Sequence, residues 1–224
     1  MDEEQQLRDN MVRLQLEARG IHDKRVLEAM RRVPRSMFVP DDARALAYED
    51  RPLPIGCGQT ISQPYIVALM VQALQLQPDD AVLDIGTGSG YAAAVMGCIA
   101  GRVDTIERHG PLALQAGERL RALAYNNVKV HLGDGTEGLP SRAPFHAIVA
   151  AASGPIVPPA WREQLTIGGR LVMPIGGTGG WQHLVRVTRH GQADYAQERL
   201  GEVRFVPLVG RHGWRPDSET DDGE

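Results

Sequence analysis

Apolar residues recur at three- and four-residue intervals through Leu7, Met11, Leu14 and Ala18, and again through Val26, Ala29, Met30 and Val33. This spacing predicts two helices divided at Gly20, the second stopped by Pro34. The Pro/Gly-rich stretch Arg51-Pro52-Leu53-Pro54-Ile55-Gly56-Cys57-Gly58 predicts loop or short edge structure. A third helix is predicted from about Gln63 to Leu76, with Ile66, Leu69, Met70, Ala73 and Leu74 on its buried face. From Ala81 the pattern changes to short β-branched runs at Val82–Ile85, Val103–Ile106, Val128–Leu132, Ala147–Ala150 and Arg170–Ile175. Helical patterns lie between several of them, the clearest from Pro111 to Ala124, with Pro111 suited to a first turn. Such alternation predicts βαβ units. After Gly176–Gly180 two more strand-like runs, His183–Thr188 and Val203–Val209, flank a polar segment and predict an antiparallel finish. The fold class is therefore α/β: a doubly wound, mainly parallel sheet with an antiparallel C-terminal portion and an N-terminal helical extension. We expect one globular domain, with residues 1–78 packed on a core of residues 79–214. Residues 215–224 form an acidic tail without an apolar face, expected to be disordered.

The predicted strand at Ala81-Val82-Leu83 runs into Asp84-Ile85-Gly86-Thr87-Gly88-Ser89-Gly90-Tyr91. A glycine turn between a buried strand and a helix places a ligand at a helix N-terminus and a parallel strand's carboxyl end. A dinucleotide fingerprint, G-x-G-x-x-G, would carry its third glycine where this chain has the bulky Tyr91. The glycines run G-x-G-x-G, with Asp84 two residues before them, which resembles the first motif of S-adenosylmethionine-dependent methyltransferases. Gly86, Thr87, Gly88 and Gly90 are thus candidate donor-binding residues. Glu107 closes the next strand about twenty residues beyond Gly86, where a carboxylate can accept both ribose hydroxyls of a nucleoside or cap the following helix. Gly133-Asp134-Gly135 follows the third strand, so Asp134 and Gly135 are candidates for an exocyclic amine such as adenine N6, or form a plain turn. Asp84 can orient the donor's methionine amino group or tie down the glycine turn.

Composition narrows the alternatives. The net charge of −4 and 24 scattered Lys and Arg residues give no basic field, so no nucleic-acid partner is expected. No apolar run approaches the ~20 residues of a membrane span, and the N-terminus Met1-Asp2-Glu3-Glu4-Gln5-Gln6 is unlike a secretory signal. Only Cys57 and Cys98 occur, without C-x-x-C spacing, and the seven histidines show no metal-ligand spacing. The expectation is a reduced, cytoplasmic protein with no metal site. No general base lies near Cys57 in the sequence, so it is expected to be a small packed thiol.

A second dense segment, Gly58-Gln59-Thr60-Ile61-Ser62-Gln63-Pro64-Tyr65, precedes the third helix. Ser62 is the expected N-cap, and Pro64 fits the first turn. Thr60 and Ser62 hydroxyls beside helix N–H groups would form a pocket for an anion, naturally a carboxylate.

Leu53-Pro54-Ile55-Gly56-Cys57-Gly58-Gln59-Thr60-Ile61-Ser62-Gln63-Pro64 resembles the signature of protein-L-isoaspartate O-methyltransferases, which repair spontaneously damaged aspartyl and asparaginyl sites. The likeness extends in order through Val33–Pro40, Asp84–Tyr91, Gly133–Gly135, Gly168–Gly176 and Arg204–Leu208, covering roughly residues 7–214. Phe145-His146-Ala147-Ile148 departs from the family's aromatic-Asp-Ala-Ile, and Ala150-Ala151-Ala152 from its Thr-Ala-Ala; both are expected at the fourth strand's donor end. The resemblance implies a Rossmann-like S-adenosylmethionine-dependent methyltransferase fold. It also implies methyl transfer from S-adenosyl-L-methionine to the free α-carboxylate of L-isoaspartyl residues in proteins and peptides, with S-adenosylhomocysteine as product. The ester then closes to a succinimide that hydrolyses partly to aspartate. Ser62, assisted by Thr60, would hold the carboxylate, and Val206-Pro207-Leu208 would border an open peptide groove. No stable protein partner is implied. An O-methyltransferase for another carboxylate, or a degenerate homologue that binds donor only, are the alternative readings.

Overall fold

The computed structural model describes residues 3–215, so the acidic tail lies outside the described residues except for Arg215. Seven strands form one sheet: β3 (Ala81–Ile85), β4 (Arg102–Glu107), β5 (Val128–Leu132), β6 (Phe145–Ala150), β7 (Leu165–Ile175), β8 (Gln182–Arg189) and β9 (Tyr195–Val203). Their order is β5-β4-β3-β6-β7-β8-β9; β3 to β7 are parallel, and β8 and β9 are antiparallel additions. The chain moves outward from β3 to β5 and then crosses back to β6. That reversal places the switch point between β3 and β6, where ligands of such sheets bind at the strands' carboxyl ends.

Both faces of the central strands are covered, which explains their near-continuous apolar runs. Val82, Val103, Val149 and Val172 share one apolar cluster with α2 (Lys24–Arg32), α3 (Pro64–Leu74) and α4 (Tyr91–Gly97). Leu83, Ile85, Ile148 and Leu171 face the opposite cluster, closed by Trp161 of α6 (Pro159–Gln164). The N-terminal segment is α1 (Glu3–Asn10), a π-helical stretch over Met11–Leu16, a 3-10 turn over Glu17–Arg19, and then α2. Gly20, with φ of +93°, makes the division between them, and Met11, Leu16, Met30 and Tyr91 belong to one cluster that joins this extension to the sheet. Helix α5 (Gly110–Ala122) links β4 to β5, with Pro111 in its first turn.

The Pro/Gly-rich connection folds as a hairpin of β1 (Leu53–Gly56) and β2 (Gln59–Ile61). Cys57 and Gly58 at its tip have φ of +50° and +66°, the left-handed pair favoured by two-residue hairpin turns. Cys57 is exposed there, not a packed thiol, because a tip residue has no second layer to enter.

One strand expectation is corrected. The final strand is the polar segment Tyr195–Val203, whereas apolar Val203–Val209 continues as an extended segment bridged at Pro207 to Ser153. As the sheet's outer edge, β9 is mostly exposed, and a charged edge suits it. The apolar residues after it are needed elsewhere, across the sheet's carboxyl end.

Candidate active site

A cavity of about 720 Å³ opens at that carboxyl end. Three groups of residues line it: Gly86, Gly88, Glu107 and Gly135 from the sheet; Gln59, Thr60, Ser62 and Gln63 from the hairpin and its exit; and Arg204 to Val209 from the segment after β9. The first two groups touch. A Cβ on Gly88, whose φ is +53°, would lie 3.2 Å from Ile55 Cδ1 of β1, so glycine lets the hairpin close on the turn.

Glu107 is buried yet faces this cavity. Its Oε2 accepts the Gly88 N–H at 2.8 Å and its Oε1 the His109 N–H at 2.9 Å. Both oxygens are therefore oriented by backbone and keep a lone pair for a ligand. Gly86 and Thr87 N–H groups instead both donate to the Ile106 carbonyl, locking the turn to β4.

The other glycine-motif residues support the turn from behind. Asp84 is buried beneath it and does not line the cavity; its Oδ2 accepts from Thr105 Oγ1 at 2.8 Å, and Thr105 Oγ1 lies 2.7 Å from Thr87 Oγ1. The Thr87 hydroxyl is thus directed into β4. Burial raises the Asp84 carboxyl to about 7; the Thr105 hydroxyl opposes that shift and the Glu107 charge adds to it. Gly90, with φ of +90°, permits close approach of α4 to α5, where a Cβ would meet Leu120 at 3.3 Å. Tyr91 is buried against Phe38, ring centroids 5.6 Å apart, so the bulky residue in the glycine motif anchors α4 to the N-terminal extension.

Gly135 lines the cavity but Asp134 does not. Asp134 caps the 3-10 turn Gly135–Glu137 by accepting from Thr136 N and Oγ1, while its Oδ2 accepts the Arg211 N–H at 2.8 Å. Burial pushes its pKa up, but these donors outweigh burial and leave it below the ordinary carboxylate value. The Gly135 carbonyl accepts from Trp161 Nε1 at 2.9 Å, and a Cβ at Gly135 would lie 2.5 Å from Ile85 Cγ2. Glycine is required there by the close approach to β3.

Three further expectations change. The N-cap of α3 is Gln63, not Ser62, because the helix starts at Pro64. The capping acid is Asp50, distant in sequence: it accepts the Tyr65 N–H at 3.2 Å and the Gln63 side-chain amide at 2.6 Å, and pairs with Arg19. A carboxylate already occupies this helix start, so a substrate anion would rely on hydroxyls. Ser62 is half-buried in the cavity wall with no hydrogen bond to its Oγ among the described residues, and Thr60 is exposed on β2. Third, His146 stands at the amino end of β6, opposite the cavity, where Nδ1 accepts the Ala81 N–H at 2.9 Å. An aspartate there would accept the same N–H, so the departure leaves the cleft untouched. Ala151 and Ala152, at the strand's other end, do line it.

Sequence reasoning did not find Asp50, Trp161, Trp181 or Arg204. Trp181 and Arg204 line the cavity, with the guanidinium 4.4 Å from the indole centroid. Arg204 enters only within the Arg204–Leu208 likeness, and the local signal for Trp181 is a tryptophan directly after the Gly176–Gly180 run.

This sheet order, glycine turn and paired cleft define a Rossmann-like methyltransferase. The profile described as Protein-L-isoaspartate(D-aspartate) O-methyltransferase matches residues 6–213. A Protein-L-isoaspartate O-methyltransferase of Rhodopseudomonas palustris is 60% identical over 205 residues, covering 92% of this chain and 94% of that protein. One from Marinobacter nauticus is 56% identical, covering 93% and 95%. A solved Protein-L-isoaspartate O-methyltransferase superposes with a TM-score of 0.82 at 27% identity, over 92% of this chain and 67% of that one. A Plasmodium falciparum beta-aspartate methyltransferase, solved with S-adenosyl-L-homocysteine, gives 0.77 at 26% identity over 90% and 98%. The chain belongs to the protein-L-isoaspartate O-methyltransferase family.

Proposed function

We propose that this protein transfers a methyl group from S-adenosyl-L-methionine to the free α-carboxylate of L-isoaspartyl residues in proteins and peptides, initiating their repair. The observation that carries this reading is the single cleft in which the glycine turn and Glu107 meet the Gln59–Gln63 segment. Glu107 and the Gly86–Gly88 backbone fit a nucleoside with two vicinal hydroxyls, and Gly135 lines the same cleft, where its base would lie. When bound, the donor supplies an electrophilic sulfonium methyl. The residues of this chain need supply no general base, since a peptide α-carboxylate is ionised at pH 7 with a pKa of roughly 3.5. Ser62, with Thr60 assisting, holds that carboxylate by hydroxyl donation, and alignment plus exclusion of water provides the rate. The extended Arg204–Val209 segment offers backbone to a peptide, which suits damage occurring in many sequences. We propose a cytoplasmic location, with which two cysteines that form no disulfide are compatible; no helix among the described residues is long and apolar enough to cross a membrane.

The test is methyl transfer from labelled donor to two peptides differing only in isoaspartyl versus aspartyl at one position. Base-labile label on the isoaspartyl peptide alone is expected; label on neither, with donor bound, refutes the reading. Ser62→Ala is expected to lower kcat/KM for the isoaspartyl peptide by about 10- to 100-fold, the scale of one hydrogen bond to a charged group. Its melting temperature should stay within about 2 °C of the parent, because the hydroxyl caps no helix. Full activity in this variant would remove Ser62 from the site.

A further inference from the structure

The Val33–Pro40 motif takes no direct part in the cleft, yet it contains the most unusual side chain of the molecule. Arg35 has no exposed surface. Its Nη1 donates to the Ala47 carbonyl, and its Nη2 to the carbonyls of Arg51, at 3.3 Å, and Ser62, at 3.0 Å. No carboxylate pairs with it among the described residues; Asp50 acts on it only at longer range, and Nε has no partner. Burial accordingly pulls its pKa below the ordinary arginine value.

A buried charge without a counter-ion is costly and persists only where fixed dipoles replace its hydration. Here the dipoles are three backbone carbonyls from separate turns, one belonging to Ser62. On the other side of the same segment, Asp50 grips the Gln63 side chain and the Tyr65 N–H. The backbone from Ser62 to Tyr65 therefore lies between a buried cation on its carbonyl and an anion on its N–H. Tyr91, which opens the donor helix, lies beneath the Arg35 guanidinium at 5.7 Å.

We propose that Arg35 is a positioning residue for the acceptor half of the cleft, fixing the Ser62 main chain so that the Ser62 hydroxyl faces the substrate carboxylate. The inference rests on the reading of Thr60–Gln63 as the acceptor segment. Lysine cannot replace it, since one ammonium lacks the planar fork that reaches three carbonyls. Methionine removes the charge and the fork together but leaves the Ala47, Arg51 and Ser62 carbonyls without their donor, so lysine serves as the milder second variant.

Arg35→Lys and Arg35→Met are compared with the parent in three measurements: peptide kinetics, S-adenosylhomocysteine affinity by calorimetry, and amide hydrogen exchange at Ile61, Ser62 and Gln63. The expected result is a peptide KM at least tenfold higher with kcat changed less than threefold, donor-product affinity within twofold, and exchange at least tenfold faster at those amides. A KM within twofold of the parent, or KM and donor-product affinity weakening in parallel, overturns the proposal. Should Arg35→Met fail to fold, Arg35→Lys carries the same criteria. If the parent does not methylate the isoaspartyl peptide, the functional reading has failed; unchanged exchange in the variants is then what overturns the positioning role.

Discussion

Glu107→Gln is expected to raise the dissociation constant for S-adenosylhomocysteine by about 100-fold, or about 2.7 kcal/mol. Each carboxylate oxygen accepts a backbone N–H, from Gly88 and from His109. An amide presents one oxygen and one NH2, so in either orientation an N–H donor confronts one of these N–H groups. A buried donor left without an acceptor costs about 1–3 kcal/mol, and the ligand loses hydrogen bonds to a charged group. Because the N–H so affected belongs to Gly88 or to the start of α5, the defect falls on the donor turn itself. Calorimetry with the product, together with a melting curve, measures both consequences. The melting temperature should fall by about 2–12 °C, since 1 kcal/mol corresponds to about 2–4 °C at this chain length. A dissociation constant within threefold of the parent's would place the ribose elsewhere.

Asp84→Asn should stabilise the protein above neutral pH. With the folded pKa raised from 3.8 to about 7, the native state keeps a proton that the unfolded chain has lost. Stability therefore falls as pH rises from about 4 to 7, and levels off above 7. At about 1.4 kcal/mol per pH unit, the full effect is bounded at about 4 kcal/mol. Asparagine keeps an oxygen for the Thr105 hydroxyl and has no charge to desolvate. Urea denaturation across pH 4–8 is expected to show the two proteins alike at pH 4 and the variant more stable by about 1–4 kcal/mol at pH 8. Parallel curves at all pH values would mean that the Asp84 carboxyl is not perturbed by burial.

Local spacing is enough to bring four of the candidate donor residues to one cleft. The positions of Gly86, Gly88, Glu107 and Gly135 follow from strand ends in a parallel sheet, and all four line the cleft. The same reasoning placed Asp134 beside them, but its oxygens are taken by Thr136 and Arg211, the latter 77 residues away. Ser62 was expected to cap α3, a role that falls to Gln63 and the remote Asp50. The last strand was misplaced because apolar character marks burial, not strand pairing; the segment after Val203 covers the cleft, and the polar edge β9 needs few apolar residues.

The sequence alone determined the layered α/β class, the parallel core strands, the glycine turn with its acid, and the family, because each is written in residues adjacent in the chain or at a fixed period. Only the tertiary structure decided which acids face the cleft, that His146 lies at the opposite end of the sheet, and that Arg35 and Asp50 hold the Ser62–Tyr65 segment from two sides. Those facts depend on hydrogen bonds across 13 to 77 residues. Such partners are selected by three-dimensional packing and leave no local period to read.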